Sequence, residues 1–195
     1  MTELLIATPH SRAPDRRDRI VHTAAAIAEA GGYDAVAMRA VAETAGVSTA
    51  TLYRYFPSKH HLLVATLGDW LERFDTRVDA DDTHRGDPFA RLQFVVDSLY
   101  ADLCGRPLLA EAMARAYAVA DTTVAAQVEH VREHLADIFA GAFGDDQTTP
   151  GPAIGSLLSD VWAANVLALS HHRITPDELR MRMATTVRMV SRRAR

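Results

Sequence analysis

Residues 41–59 read VAETAGVSTATLYRYFPSK, and this stretch decides the fold class. It predicts two short helices, about 38–45 and 48–56, which are joined through Gly46 and followed by Pro57. Glycine tolerates the positive φ that a sharp turn between helices requires. Apolar residues at helical spacing would hold the pair together: Val41, Ala42 and Ala45 on the first helix, and Val47, Leu52 and Phe56 on the second. The pattern is typical of a helix-turn-helix.

The outer face of the second helix is the candidate nucleic-acid surface. The side chains left wholly or partly outside are Thr49, Ala50, Thr51, Tyr53, Arg54 and Tyr55. They offer hydroxyls, a methyl group, phenols and one guanidinium to a major groove. The alternative is an ordinary helical hairpin in which Tyr53 and Tyr55 are core aromatics. The joint occurrence of turn, apolar spacing, aromatics and a following basic residue favours the DNA-binding interpretation.

The remaining patterns predict an all-α chain of about nine helices, with no credible strand and no internal repeat. We expect a flexible arm over residues 1–15, which holds Pro9 and Pro14. A three-helix DNA-binding domain would cover 16–62, with its first helix ending at Gly31 and Gly32. A second helical domain would cover 63–195, interrupted by polar loops near 79–87 and 144–151.

Composition and charge suit an ordinary soluble protein that contacts phosphate at one end only. The net charge is −4, and 48% of the 195 residues are hydrophobic, which is enough for a core. Residues 1–65 hold seven basic and six acidic side chains, so the acidic excess lies in the body. We expect no membrane span, because no apolar run approaches the length needed to cross a bilayer, and no signal-like N-terminus is present. We expect a cytoplasmic protein with no membrane partner.

The chain has one cysteine, which excludes an internal disulfide and a Cys-based zinc site within one chain. Cys104 stands beside Leu103, so we expect a small buried hydrophobe, with a redox sensor as the alternative. His130 and His134 are spaced i,i+4, but a solvated helix face is favoured over a metal pair. Without a nucleophile elbow, phosphate loop or dinucleotide fingerprint, we expect no enzyme, no metal and no cofactor; a helical enzyme is the distant alternative.

Residues 16–67, RRDRIVHTAAAIAEAGGYDAVAMRAVAETAGVSTATLYRYFPSKHHLLVATL, resemble the N-terminal domain of the TetR family of transcriptional regulators. The segment LYRYFPSK is among the most specific parts of that signature. Two positions depart from it: Ala37 stands where a capping Ser or Thr is common, and Ala50 where Gly is common.

The resemblance implies a repressor that binds a palindromic operator as a homodimer and is released by a small apolar effector. It implies DNA contacts at matching positions, with Lys59 holding a phosphate at the start of the long helix. The implied contact residues are Arg39, Ser48, Thr49, Ala50, Thr51, Tyr53, Arg54, Tyr55 and Lys59. The last two helices would form the dimer interface, with Leu157, Leu158, Val161, Trp162, Leu169, Leu179, Met183, Val187 and Val190 on its apolar face.

The body resembles the steroid-responsive members of that family, in DPFARLQFVV at 87–96, RPLLAEAMARAYAVAD at 106–121 and SDVWAANVLAL at 159–169. This resemblance implies an effector that is a steroid acyl-CoA thioester, and control of sterol or lipid catabolism genes. Another acyl-CoA, a drug-like cation or a partner protein is the alternative signal.

A long apolar effector needs a cavity with few polar groups. The candidate lining residues are Trp70, Phe74, Phe89, Leu92, Leu99, Met113, Tyr117, Trp162 and Asn165. Plain core is the competing interpretation for the apolar ones, and an internally satisfied hydrogen bond is the competing interpretation for Asn165. Arg106, Arg115 and Arg173 are candidates to hold the anionic CoA at the mouth.

Overall fold

A computed structural model describes residues 15–81, 86–144 and 150–193. Residues 1–14 of the predicted arm 1–15, parts of both predicted loops and residues 194–195 lie outside the described residues. Within those ranges the structure holds nine helices and no strand, so the all-α prediction is confirmed. The helices are α1 (Arg16–Ala35), α2 (Met38–Thr44), α3 (Thr49–Tyr55), α4 (Lys59–Asp79), α5 (Pro88–Gly105), α6 (Pro107–Ala118), α7 (Ala125–Gly141), α8 (Gly151–Ser170) and α9 (Pro176–Arg193).

The turn between α2 and α3 has the predicted chemistry. Gly46 has φ +65°, a conformation that most side chains resist. The amide of Val47 donates to the carbonyl of Ala42 at 3.0 Å and so closes the turn. Leu52 is completely buried and Phe56 nearly so, which fixes α3 against the rest of the N-terminal domain. The sequence therefore predicted this motif correctly.

One helix end differs in detail from the prediction. The backbone leaves helical geometry at Gly32, as expected, but one further turn follows and carries Tyr33 to Ala35. Ala37 precedes α2 without a side-chain hydrogen bond to its first turn, so that helix begins uncapped. Ser58 does cap α4, because its hydroxyl accepts from the amide of His61 at 3.4 Å.

Helix α4 runs from the DNA-binding motif into the body, and α5 secures its far end. The buried guanidinium of Arg91 donates to the carbonyl of Asp81 at 2.5 Å and also to the carbonyl of Val78. The last carbonyls of a helix have no partner within it, so this side chain satisfies groups that burial would otherwise strand. One end of α4 is thereby held to the body while the other carries Lys59.

Helix α8 corrects one expectation from the sequence. Among the described residues, one helix, Gly151–Ser170, is long enough and apolar enough to cross a membrane, judged by length and composition. It packs against α7, α6 and α9. Leu158 and Trp162 are buried in that packing, whereas Leu157 is about half exposed on the opposite side. An apolar helix with one covered face is also typical of a core helix of a soluble domain.

The expected burial of Cys104 is wrong. Leu103 takes the inward position at the end of α5, and the next residue on a helix points about 100° away. Cys104 is therefore exposed, and its thiol forms a hydrogen bond with Tyr100. That hydrogen bond is the main cause that raises the pKa of the Tyr100 phenol, with partial desolvation adding to it.

Candidate nucleic-acid interface and effector cavity

Helix α3 presents the predicted polar face to solvent. Thr49, Ala50 and Arg54 are exposed, and 48% of Tyr53 is accessible. Thr51 and Tyr55, also predicted for this surface, are half-buried. The alternative in which Tyr53 is a core aromatic is therefore wrong. A seven-residue helix is about 10 Å long and of a size that enters a major groove.

Ser48 has a structural task beside its predicted place at the interface. Its hydroxyl accepts from the amide of Thr51 at 3.1 Å and lies 2.9 Å from the hydroxyl of that residue. The serine thus caps α3, and a capped helix start holds the following residues in register. Its oxygen is partly committed before any nucleic acid arrives.

Arg39 and Arg54, two basic candidates for DNA contact, have different contacts within the protein. Arg39 has an 85% exposed side chain, and its Nε lies 2.9 Å from Glu43 Oε1. Such an exposed pair is weak and can be exchanged for a phosphate. The guanidinium carbon of Arg54 lies 5.6 Å from the ring centre of Tyr55 on the same helix. Both arginines are thus available at the surface that carries α3.

Lys59 is the first residue of α4, as the sequence predicted, but it is only partly exposed. Its ammonium nitrogen lies 3.8 Å from the ring centre of Tyr33. Burial lowers the pKa of Lys59, the carboxylate of Asp34 opposes that shift, and the cation of Arg115 adds to it. The sequence analysis missed Tyr33; the signal for it was an aromatic directly after the glycine pair that ends the main part of α1.

The body contains an apolar cavity of about 80 Å³ between α4, α5, α6, α7 and α8. The residues that line it are Leu67, Trp70, Leu71, Asp102, Leu103, Arg106, Leu109, Ala110, Met113, Ala114, Tyr117, Val131, Arg132, Leu135, Trp162, Ala163, Val166 and Leu167. We call it the apolar cavity. Trp70, Met113, Tyr117 and Trp162 are the sequence-predicted lining residues that the structure brings together there.

The other four apolar candidates do not line the apolar cavity. Phe74 is fully buried, with its ring 6.0 Å from that of Trp70. Phe89 meets Phe143 edge to face at 5.5 Å. Leu92 and Leu99 have no accessible surface. A helical stripe predicts burial but not which buried side chains adjoin a void, so these four pack with the core in the structure, and their contact with an effector stays a prediction.

Asn165 also lies away from the cavity lining. Its Nδ2 donates to the carbonyl of Val161 at 2.8 Å, and its Oδ1 accepts from Arg182 at 3.3 Å. Both ends of the amide are therefore occupied by the protein itself, on α8 and α9. The alternative of an internally satisfied hydrogen bond describes this residue in the structure, and its contact with an effector stays a prediction.

A second cavity of about 540 Å³ adjoins the first, and we call it the outer cavity. The two share Leu103, Ala110, Ala114 and Val166 as a common wall. The outer cavity has more polar groups, which come from Glu111, Ser170, His172, Arg173, Thr175 and Glu178. Of the three arginines predicted for the mouth, Arg106 thus lines the apolar cavity and Arg173 the outer cavity.

The third arginine faces the DNA-binding domain instead. Arg115 Nη1 lies 3.6 Å from Asp34 Oδ1 on α1, and Arg106 Nε lies 3.7 Å from Glu29 Oε1 on the same helix. Helix α6 also packs closely on α1. The rotation of α6 about its axis, which sequence spacing does not give, decides that Arg115 points to α1. Helix α6 is therefore both a cavity wall and the main support of α1.

Arg132 on α7 is a cavity residue that the sequence analysis missed. Its guanidinium lies 2.6 Å from Glu129 and 3.8 Å from Asp160, and it donates to Ser156 at 3.4 Å. The hydrogen bond with Glu129 raises the pKa of the Arg132 guanidinium well above its ordinary value. An i,i+3 ion pair is typical of a solvated helix face, so the sequence carried no distinct signal for this placement.

The histidine pair on α7 is not part of a larger cluster. The rings of His130 and His134 are 6.5 Å apart, and His134 Nε2 lies 3.3 Å from Asp75 Oδ2. Across residues 15–81, 86–144 and 150–193, no three His, Cys, Asp or Glu side chains are grouped so that they could hold a metal ion.

Two family models match this architecture. Residues 20–66 match the model for bacterial regulatory proteins of the tetR family, and residues 86–190 match a tetracyclin repressor-like C-terminal domain. The first match covers the helix-turn-helix, and the second covers α5 to most of α9.

Individual proteins agree with the models. The chain is 44% identical to an HTH-type transcriptional repressor KstR of Mycolicibacterium smegmatis, over 90% of this chain and 87% of that protein. It is 42% identical to the repressor of that name from Mycobacterium tuberculosis, over 90% and 80%. A TetR regulator from Rhodococcus sp. RHA1 superposes with TM-score 0.79 at 25% identity, over 90% and 94%. Thermus thermophilus FadR, solved with lauroyl-CoA, superposes with TM-score 0.72 at 19% identity, over 89% and 92%. The chain belongs to the TetR family of transcriptional repressors.

Proposed function

We propose that this chain represses sterol or lipid catabolism genes as a cytoplasmic homodimer on a palindromic operator, and that a steroid acyl-CoA thioester releases it. The resemblance of residues 87–96, 106–121 and 159–169 to steroid-responsive repressors supports the steroid part. The lauroyl-CoA complex of a protein with the same fold supports an acyl-CoA. The proposed DNA contacts are Arg39, Ser48, Thr49, Ala50, Thr51, Tyr53, Arg54, Tyr55 and Lys59.

The observation that carries the proposal is the position of α6 between the cavities and α1. The apolar cavity holds about 80 Å³, whereas pockets for drug-sized ligands hold about 300–1,000 Å³. A steroid body therefore fits only if the walls move apart. Helix α6 supplies Ala110 and Ala114, two of the four residues that both cavities share, so its displacement would alter the support of α1 through Arg106 and Arg115.

The energetics allow such a displacement. The ion pairs from α6 to Glu29 and Asp34 are largely exposed, and exposed pairs contribute at most about 1 kcal/mol each. Burial of a steroid skeleton is worth about 25 cal/mol for each Å² of apolar surface removed from water. The loss of these two ion pairs is small beside that gain, while the close packing of α6 on α1 has to shift with the helix. Release follows because the ligand binds the DNA-incompetent shape more tightly.

The charges of the apolar cavity, where Arg106 and Arg132 accompany one carboxylate, favour an anionic ligand over a cationic drug. Asp102 is the acidic residue on the apolar cavity, and its carboxylate is 2.5 Å from Arg77. Arg106 supplies positive charge on the apolar cavity, and Arg173, which shares the outer cavity with Glu111 and Glu178, is the group there that would pair with a CoA phosphate. The thioester would therefore lie near Arg106, with the CoA part in the outer cavity.

A homodimer gives the recognition helices their spacing. The outer faces of α8 and α9 carry exposed apolar side chains at Leu157, Met181 and Met189. We propose that these faces pair across a two-fold axis and place the two α3 helices on half-sites about 34–36 Å apart or a multiple of that distance. Leu158, Trp162, Leu179, Met183 and Val187 were predicted for this face, but the chain buries them in its own core.

The test starts from an operator selected by the purified protein out of a random duplex library. Fluorescence anisotropy then follows release of that labelled duplex by 3-oxo-5β-cholanoyl-CoA, lauroyl-CoA and free CoA. We expect the steroid thioester to lower operator affinity about tenfold or more, a coupling of usual size, and free CoA to have no effect. Release by lauroyl-CoA alone would reassign the effector to fatty acyl-CoA, and release by neither would refute an acyl-CoA effector.

A further inference from the structure

Helices α4 and α7 are two walls of the apolar cavity, and they lie close together. A Cβ added to Gly68 on α4 would lie 3.9 Å from Val131 Cγ2 on α7. A cavity of about 80 Å³ is too small for a steroid body, so its walls have to separate when such an effector enters. Any contact that holds α4 to α7 therefore opposes binding of the effector.

A histidine–aspartate contact joins these two helices beside the cavity. His134 Nε2 on α7 lies 3.3 Å from Asp75 Oδ2 on α4. Asp75 stands one helical turn after the cavity residue Leu71, and His134 directly precedes the cavity residue Leu135. The His134 side chain is 18% exposed and that of Asp75 36%, so the pair is partly shielded from water. Separation of the two walls would break this contact.

Asp75 and His130 are the titratable groups that contact His134 in the part of the chain that the structure describes. The rings of His130 and His134 are 6.5 Å apart, but His130 is exposed, so water screens its charge. Helices α5 and α8 also pack on α7, and their charged groups have other partners. Those pairs are Arg91 with the carbonyl of Val78, Asp97 with Arg180, Asp102 with Arg77, and Asp160 with Arg132. The charge of His134 therefore acts mainly on Asp75.

We infer that His134 and Asp75 form a proton-dependent strap, which holds α4 to α7 more firmly when the imidazole is charged. An imidazole changes its charge between about pH 5 and pH 8. Neutral His134 can donate one hydrogen bond to the carboxylate, whereas charged His134 also forms an ion pair with it. Acidification would thus make the repressor less responsive to its effector. This inference rests on the proposed function, from which the effector is taken.

Thermodynamic linkage gives the direction of the effect. The closed shape keeps the strap and therefore binds the proton on His134 more tightly than a shape in which α4 and α7 have separated. Because linkage is reciprocal, protons weaken the binding of an effector that needs the separated shape. Partly exposed ion pairs of this kind change an equilibrium by at most about fivefold, so the expected effect is a few-fold change in affinity.

The experiment measures the affinity of the full-length protein for 3-oxo-5β-cholanoyl-CoA without DNA, by isothermal titration calorimetry at pH 8.0 and pH 6.0. His134→Gln and Asp75→Asn each remove one charge of the strap and keep a polar side chain there. His22→Gln is the matched control, since His22 Nε2 lies 3.6 Å from Asp69 Oδ1 across α1 and α4, but Asp69 is already paired with Arg73. The phosphates of CoA also change charge in this range, so wild type and variant are compared at each pH.

A second measurement needs no effector. Urea unfolding of the free proteins at the same two pH values reports how much the strap stabilises the closed shape. We expect His134→Gln and Asp75→Asn to unfold at lower urea concentration than wild type at pH 6.0, and the difference to shrink at pH 8.0. A difference that is the same at both pH values would overturn the inference, because the contact would then not depend on the proton.

In calorimetry, we expect the affinity of wild type divided by that of either strap variant to be about threefold lower at pH 6.0 than at pH 8.0. His22→Gln should follow wild type at both pH values. The same ratio at both pH values would overturn the inference and leave the proposed effector class intact. Failure of all four proteins to bind the thioester at either pH would refute the effector class, and with it the inference.

Discussion

The ammonium of Lys59 lies 3.8 Å from the ring centre of Tyr33, and this contact joins the start of α4 to the end of α1. The guanidinium carbon of Arg115, on α6, lies 4.2 Å from the same ring centre. The Tyr33 hydroxyl lies 2.8 Å from His60 Nε2. One aromatic ring thus contacts the helix beside the cavities and the lysine proposed to hold a phosphate.

Replacement of Tyr33 should therefore change operator binding. Tyr33→Leu removes two cation–π contacts, each worth about 0.5–1 kcal/mol at a partly exposed site. Lys59 then loses the ring that positions its ammonium group. We expect operator affinity to fall about fivefold. Tyr33→Phe keeps the ring and loses only the His60 contact, so it should stay within about twofold of wild type. Fluorescence anisotropy measures both, and equal losses in the two variants would contradict a role for the ring.

The salt dependence of binding tests Lys59 itself. Lys59→Ala should weaken operator binding at every sequence and reduce the slope of log affinity against log salt by about one, because one phosphate contact is lost. Tyr53→Phe added to it should weaken binding further. Arg73→Ala removes a charge from α4 where the arginine pairs with Asp69, and serves as the control. A slope that stays at the wild-type value in Lys59→Ala would remove this residue from the interface.

The helices were predictable because their ends are chemically marked. Gly46, Pro57 and Ser58 determine where the DNA-binding helices stop and start, and Pro176 opens α9. The exposed face of α3 followed from apolar spacing alone. These features depend on residues close in sequence, which is why the sequence predicted the fold and the exposed face of α3.

The cavity was only partly predictable because it depends on how helices rotate against one another. Met113 and Leu99 have the same apolar character in sequence, yet one lines the apolar cavity and the other lies in solid core. Arg115 and Arg106 both looked suited to a ligand mouth, but Arg115 turns to α1. Cys104, near the end of α5, was expected to be buried and is exposed, because the rotation of the helix turns Leu103 inward instead.

A larger side chain on the shared wall should block the effector. Ala114 separates the two cavities and is 9% exposed. Ala114→Leu would fill much of a cavity of only about 80 Å³, so we expect 3-oxo-5β-cholanoyl-CoA to bind at least about tenfold more weakly. Ala118→Leu, at the exposed end of the same helix, should bind it like wild type. Calorimetry decides this, and wild-type affinity in Ala114→Leu would place the ligand elsewhere.

The dimer face is tested by charge. Leu157 is 51% exposed on α8, so Leu157→Asp should cost the fold little but place a carboxylate in the proposed two-fold interface. We expect light scattering after gel filtration to give the 21.3 kDa monomer for this variant and twice that mass for wild type. Val119 is equally exposed at the end of α6, and Val119→Asp should stay dimeric. A dimeric Leu157→Asp protein would show that the interface lies elsewhere.

The contact between α7 and α8 depends on the missing side chain of Gly155. A Cβ there would overlap the carbonyl oxygen of Ala136 and lie 3.1 Å from the Cβ of Ala140. Backbone cannot yield as a flexible side chain can, so Gly155→Ala should force the helices apart and lower the free energy of unfolding by about 1–3 kcal/mol.

Gly141→Ala is the matched control for that change. Gly141 ends α7, and a Cβ at this position meets no atom within 4 Å. Because alanine restricts the unfolded chain and favours the helix, this variant should be as stable as wild type or gain up to about 1 kcal/mol. Urea unfolding followed by circular dichroism measures both variants. If Gly155→Ala were as stable as Gly141→Ala, the close approach of α8 to the α7 backbone would not be a property of the folded protein.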